Sequence, residues 1–136
     1  GHIFFKERWY GFDDALYCGA RLLEIVTAFA DSNAPLKALP DAISTPELNW
    51  ALKEGEPHAL VDRIRDTATF EGATEVITID GVRVEYPDGF GLARASNTTP
   101  VIVLRFEAET EAALERIKAD FRRVLSAAKP GVPLPF

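Results

Sequence analysis

Val76-Ile77-Thr78-Ile79-Asp80-Gly81-Val82-Arg83-Val84-Glu85-Tyr86 is the stretch whose reading decides the fold. Two β-branched runs flank Asp-Gly, and glycine takes the positive φ of a tight turn at no steric cost. The segment therefore predicts a two-residue β-hairpin. Downstream, Pro87-Asp88-Gly89 turns the chain into residues 90–94. A polar turn follows, and Val101 to Phe106 then reads as a near-continuous apolar strand suited to the middle of a sheet. Upstream, residues 46–53 alternate loosely and read as another strand. Between them, Gly55-Glu56-Pro57 opens a helix with proline in its first turn, and Leu60, Val61, Ile64 and Ala68 form its buried stripe. Thr110 caps a last helix, with Glu111 near its positive end and Leu114, Ile117, Phe121, Val124 and Ala128 on the core face. The order of elements predicts an α+β domain: a four-stranded antiparallel sheet with two helices on one face.

The first 34 residues follow a different pattern. His2 to Tyr10 is rich in aromatics and reads as a strand; it starts without a cap or turn, so a preceding segment is expected. Phe12-Asp13 opens a helix, Asp13 accepting from first-turn N–H groups and Phe12 packing on Tyr17. Leu16, Ala20, Leu23 and Thr27 share one face while Leu22, Ile25, Val26 and Phe29 cover others, which calls for neighbours on several sides. Asp31-Ser32-Asn33-Ala34-Pro35 breaks the chain, giving an expected division into 1–34 and 35–136.

A net charge of −6 lacks the clustered positive charge by which proteins hold nucleic acids. No apolar run reaches the ~18 residues of a membrane span, and no secretory signal opens the sequence. Cys18 is the sole cysteine, which excludes an internal disulfide and a cysteine-based metal site and fits a reducing cytoplasm. Cys18, Trp9 and Trp50 read as packing residues, His58 as surface, and Lys6-Glu7-Arg8 and Glu115-Arg116 as solvated faces.

The chemistry concentrates in Arg94-Ala95-Ser96-Asn97-Thr98-Thr99-Pro100. A plain hairpin turn favours glycine, whereas this one carries four side chains able to donate hydrogen bonds, beside an arginine. The guanidinium offers a fork of N–H donors matched to two phosphate oxygens. Hydroxyls of Ser96, Thr98 and Thr99, the Asn97 amide and turn N–H groups would complete a phosphate cradle. Equally, Ser, Asn and Thr form turns by bonding their own backbone, and on these residues alone both readings stand.

The loop, the segment Gly1-His2-Ile3-Phe4-Phe5-Lys6-Glu7-Arg8-Trp9-Tyr10-Gly11-Phe12-Asp13-Asp14, Asp80-Gly81-Val82-Arg83-Val84 and the terminal Pro133-Leu134-Pro135-Phe136 together resemble, in the right order, the α-D-phosphohexomutase family. The likeness is nearest to its bacterial phosphoglucomutase/phosphomannomutase branch and to the C-terminal part of that enzyme. The resemblance implies that residues 35–136 are the fourth, phosphate-binding domain, with a TATA-binding-protein-like fold, and that 1–34 close the third, sugar-binding domain. It implies substrate-phosphate contacts from Arg94, Ala95, Ser96, Asn97 and Thr98. It makes Gly1 and His2 the tail of a sugar loop normally reading Gly-Glu-Met-Ser-Gly-His, with His2 near the reacting hydroxyl as an acid/base. The implied reaction interconverts hexose 1-phosphates and 6-phosphates of glucose and mannose through a hexose 1,6-bisphosphate. The phosphoserine donor and the Mg²⁺ loop are implied to lie in the family's first two domains, so this chain is expected to hold no cofactor, to be inactive alone, to pair with the remaining domains, and to bind neither nucleic acid nor membrane. The competing expectation is a freestanding, non-catalytic phosphate-binding or interaction domain.

Overall fold

The computed structural model describes residues 2–136. It divides into two compact units, one ending at Asp41 and one spanning Ala42–Phe136.

The first unit contains helices α1 (Ala15–Val26) and α2 (Ala34–Lys37). The strand expected over His2 to Tyr10 is absent: a strand exists through its partner, and here only Phe4 forms a bridge, to Asp13. The aromatics cluster instead. Trp9 stacks on Tyr17 with ring centres 4.3 Å apart, taking the place expected of Phe12, and Phe5 meets Tyr17 edge-on at 5.6 Å. The cap is Asp14, not Asp13, its carboxylate accepting from the Tyr17 N–H at 3.0 Å. Lys6, Glu7 and Arg8 are exposed as expected, and Glu7 and Arg8 form ion pairs on that surface. Arg8 forks onto Glu24 at 3.1 and 3.0 Å, and Arg21 donates to Glu7 at 2.9 Å. The bond from Arg21 holds the Glu7 carboxyl below the usual range, and the bond from Arg8 does the same for Glu24. Leu16, Leu22, Leu23 and Ile25 of α1 stay exposed.

The second unit runs β1 (Ile43–Ser44), β2 (Leu48–Ala51), α3 (Glu56–Thr67), β3 (Glu75–Ile77), β4 (Val82–Tyr86), β5 (Gly89–Ala95), β6 (Val101–Ala108) and α4 (Glu111–Ala128). All pairings are antiparallel, in the order β1-β6-β5-β4-β3, with β2 also on β6. Six strands thus replace the four expected. Part of the excess has a local cause: Pro46 lacks an N–H and interrupts the edge that runs along β6. Thr45 bridges the gap, its N–H donating to the Phe106 carbonyl at 2.9 Å and its hydroxyl accepting from the Phe106 N–H at 3.1 Å.

The hairpin forms with a shifted register. Ile77 faces Arg83 and Val76 faces Val84, so residues 79–81 make a three-residue loop with Gly81 at φ +84° in its last position. A two-residue turn would have set Ile79 against Val82 on the core face; the one-residue slip turns Ile79 out to 93% exposure.

Alternation along β4, β5 and β6 buries Val82, Val84, Tyr86, Ala93, Ile102, Leu104 and Phe106 beneath α3 and α4, which lie on one face. Leu60, Val61 and Ile64 of α3, and Leu114, Ile117, Phe121 and Val124 of α4, fill that layer. The Phe121 ring lies directly over Gly91, where any Cβ would overlap it. Thr110 caps α4 by accepting from the Ala113 N–H at 3.2 Å.

Tyr86 donates to Asp120 at 2.8 Å inside this core. Burial first, and then the bond to Asp120, push its phenol well above the ordinary value of 10. Above about pH 10 the unfolded chain therefore loses this proton while the folded chain keeps it. The contribution is complete below that pH and lost as pH rises. Stability is expected to fall from this group by as much as about 1.4 kcal/mol per pH unit. Urea midpoints between pH 9 and 11 check it: Tyr86→Phe should flatten that part of the slope, and an unchanged slope would refute the assignment.

Candidate functional site

β5 carries the chain to Arg94 and Ala95, opposite Val103 and Ile102 of β6. Strand alternation sends Ala93 and Ala95 under the helices and Arg94 to the opposite, open face. Beyond the strand, Ser96 donates its N–H to the Val101 carbonyl at 3.0 Å. The turn then folds on Ser96: its Oγ accepts from the N–H groups of Thr98 and Thr99 at 3.3 Å each and lies 3.0 Å from the Thr99 hydroxyl. That much is a serine forming its own turn.

Other donors stay unengaged among the described residues. Asn97 donates neither its backbone N–H nor its side-chain amide. The Ala95 N–H points away from β6, past the last rung that β4 makes at Val82↔Ala93. Arg94 reaches Asp80 through Nη1 alone, at 3.3 Å, with the two side chains 42% and 68% exposed. Its Nε and Nη2 make no hydrogen bond among the described residues and stay open to an anion.

Arg94, Ser96, Thr98 and Thr99 form one wall of an open depression of about 510 Å³. Val101 and Val103 make its floor, and Glu47 and Asn49 close the far side. The register explains the grouping, since Asn49 faces Val103 and Val103 faces Arg94 across adjacent strands. Arg94 is its only cation and Glu47 opposes it, so anion binding there depends on directed hydrogen bonds more than on overall field. The groove between α3 and α4, about 310 Å³, also has arginines, but Arg63 donates to the Ala128 carbonyl and Arg123 to the Thr69 carbonyl. Each of the two ties its Nη2 to the fold.

Of the residues singled out from sequence, Arg94, Ser96 and Thr98 come together on the depression. Ala95 offers only its N–H, because its methyl is buried, and Asn97 stands exposed at the tip of the turn. His2 belongs to the first unit, exposed, with Nε2 3.7 Å from the Asp13 carboxylate. Gly1 lies outside the described residues. Glu47, Asn49 and Asp80 were missed as neighbours of the site; correct strand registers, which propensity does not supply, would have found the first two. Among the described residues no three His, Cys, Asp or Glu side chains gather as a metal site.

Residues 47–124 match the family model described as phosphoglucomutase/phosphomannomutase, C-terminal domain. The chain is 63% identical over 128 residues to a phosphoglucomutase of Neisseria meningitidis serogroup A, covering 93% of this chain and 28% of that protein. It is 53% identical over 137 aligned positions to a phosphomannomutase/phosphoglucomutase of Pseudomonas aeruginosa, covering 100% of this chain and 29% of the relative. A solved phosphoglucomutase/phosphomannomutase family protein from Burkholderia thailandensis superposes with a TM-score of 0.91 at 65% identity, over 100% of this chain and 28% of that one. The chain thus spans less than a third of the length of these relatives. With the family's C-terminal domain matched over more than half its length, the chain belongs to the phosphoglucomutase/phosphomannomutase family.

Proposed function

We propose that this chain is the phosphosugar-gripping C-terminal portion of a phosphohexomutase, with residues 35–136 as its phosphate-binding fourth domain and 1–34 as the end of the third. One observation carries the reading: an arginine with a free Nε–Nη2 edge lines an open depression with two threonine hydroxyls, beside a turn whose Asn97 donors have no other partner. The group held is the phosphate of a glucose or mannose phosphate. Arg94, Ser96, Thr98 and the N–H groups of Ala95 and Asn97 are its donors, and His2 belongs to the sugar side of the reaction. A bisphosphorylated intermediate must turn around between half-reactions, so the grip reads phosphate and tolerates either end of the sugar.

Phosphoryl transfer relies on positioned charge. The Mg²⁺ and the phosphoserine of the full enzyme, taken to act in the cytoplasm, are assigned to its other domains, as the family resemblance implies. The isolated chain is expected to be inactive and to bind glucose 1-phosphate with an affinity on the order of 1 mM, since a few charge-assisted bonds barely exceed the cost of immobilising a small ligand. Titration followed by amide NMR checks this, with shifts expected at residues 94–99. Silence there favours the reading in which Ser96 only builds a turn. Interconversion of glucose 1-phosphate and glucose 6-phosphate by the pure chain would overturn the expected inactivity.

A further inference from the structure

The hairpin loop between β3 and β4 touches Arg94 from behind in two independent ways. Asp80 reaches Nη1 of the guanidinium at 3.3 Å, yet does not line the depression that Arg94 walls. Gly81 lies against the strand that carries Arg94: a Cβ added there would stand 2.9 Å from the Arg94 Cα and 3.0 Å from its Cβ, and would overlap the Ala93 carbonyl oxygen. The position also holds φ at +84°, where L side chains are strained. Backbone and guanidinium of one residue are thus both contacted by two consecutive loop residues.

We propose that Asp80 and Gly81 are positioning residues for the phosphate grip: Gly81 sets where Arg94 leaves the sheet, and Asp80 occupies Nη1 so that the Nε–Nη2 edge faces the depression. This rests on the phosphate-binding reading above. An unheld arginine explores many rotamers that binding must then freeze, so orienting it in advance saves that entropy. The opposing effect is repulsion between the Asp80 carboxylate and the bound dianion. The guanidinium charge stands between them and offsets part of that repulsion, and at about 0.15 M salt, with a screening length of about 8 Å, the remainder is damped only in part. The proposal requires orientation to outweigh that remainder.

The test titrates this chain with inorganic phosphate in 0.15 M salt, reading the Arg94 Nε–Hε signal and the amides of the turn. Asp80→Ala should shift and broaden the Nε–Hε signal without phosphate and weaken binding between about twofold and tenfold. Asp80→Glu, which restores a carboxylate, should recover most of the loss. Gly81→Ala should weaken binding further, while Gly91→Ala, which strains the core against Phe121 on the other face, should lower stability and leave the affinity of the folded protein unchanged. If Gly81→Ala does not fold, the Asp80 pair still decides. Unchanged or tighter binding in Asp80→Ala overturns the proposal. Arg94→Ala separates the two levels: if the wild type binds and Arg94→Ala does not, the grip stands whatever the Asp80 variants show; if the wild type shows no binding, both readings fall.

Discussion

Arg94→Ala is expected to weaken binding of glucose 1-phosphate and mannose 1-phosphate by more than tenfold, and by similar factors for both sugars. Arg94 is the only cation on the depression, and Glu47 stands across from it, so nothing nearby replaces the lost charge. A bidentate guanidinium–phosphate contact comprises two charge-assisted bonds worth about 1.5–3 kcal/mol each, and losing even one and a half of them exceeds the 1.4 kcal/mol of a tenfold change. Arg94→Lys should fall between, keeping the charge without the planar fork. Stability should hardly move, because the side chain lies half-exposed on the open face while the core lies on the other. Isothermal or NMR titration measures the affinities, and activity of the intact protein on both sugar phosphates extends the comparison. A loss confined to one sugar would mean that Arg94 reads the sugar, contrary to the proposed grip, which has to accept either phosphate of a turning intermediate.

The parts of this protein that were legible in sequence are those set by periodicity and local chemistry. The stripe of α4 and its Thr110 cap, the entry of α3 at Pro57 and the apolar run of β6 each state their geometry within a few residues. What failed depended on partners. Residues 2–10 have strand propensity, yet form only the bridge Phe4↔Asp13. Asp80-Gly81 announced a turn but not its length; two-residue and three-residue loops both accept a final glycine, and the difference exposes Ile79. The loop 94–100 was readable as a donor cluster because its residue types are unusual for a hairpin. Glu47 and Asp80 were not, because a carboxylate in an ordinary acidic sequence becomes part of a site only when the sheet places it there. Asp120 was hidden for a related reason: a charged residue in an amphipathic helix reads as surface until its neighbours are known.

Asp120 accordingly carries a large expected stability effect in the second unit. Its side chain is only 8% exposed, and its Oδ2 accepts from the Tyr86 hydroxyl at 2.8 Å and the Glu71 N–H at 2.9 Å, while Arg123 pairs with Oδ1. It thereby ties α4 to β4 and to the connection that follows α3. Asp120→Ala removes the acceptor and leaves a buried hydroxyl and an N–H without partners, each costing about 1–3 kcal/mol. The expected loss is about 2–4 kcal/mol, a large share of the 5–15 kcal/mol typical of a domain. Asp120→Asn keeps one acceptor oxygen and should lose less. The origin of the effect is separable by a double-mutant cycle: if the tyrosine bond matters, Tyr86→Phe should cost less in the Asp120→Ala background than in the wild type. Urea unfolding with an unchanged m-value measures both. Additive costs would assign the loss to the Glu71 N–H and to packing. Phosphate binding by the folded variant should survive, since Asp120 acts on the helix-covered face and Arg94 on the open one.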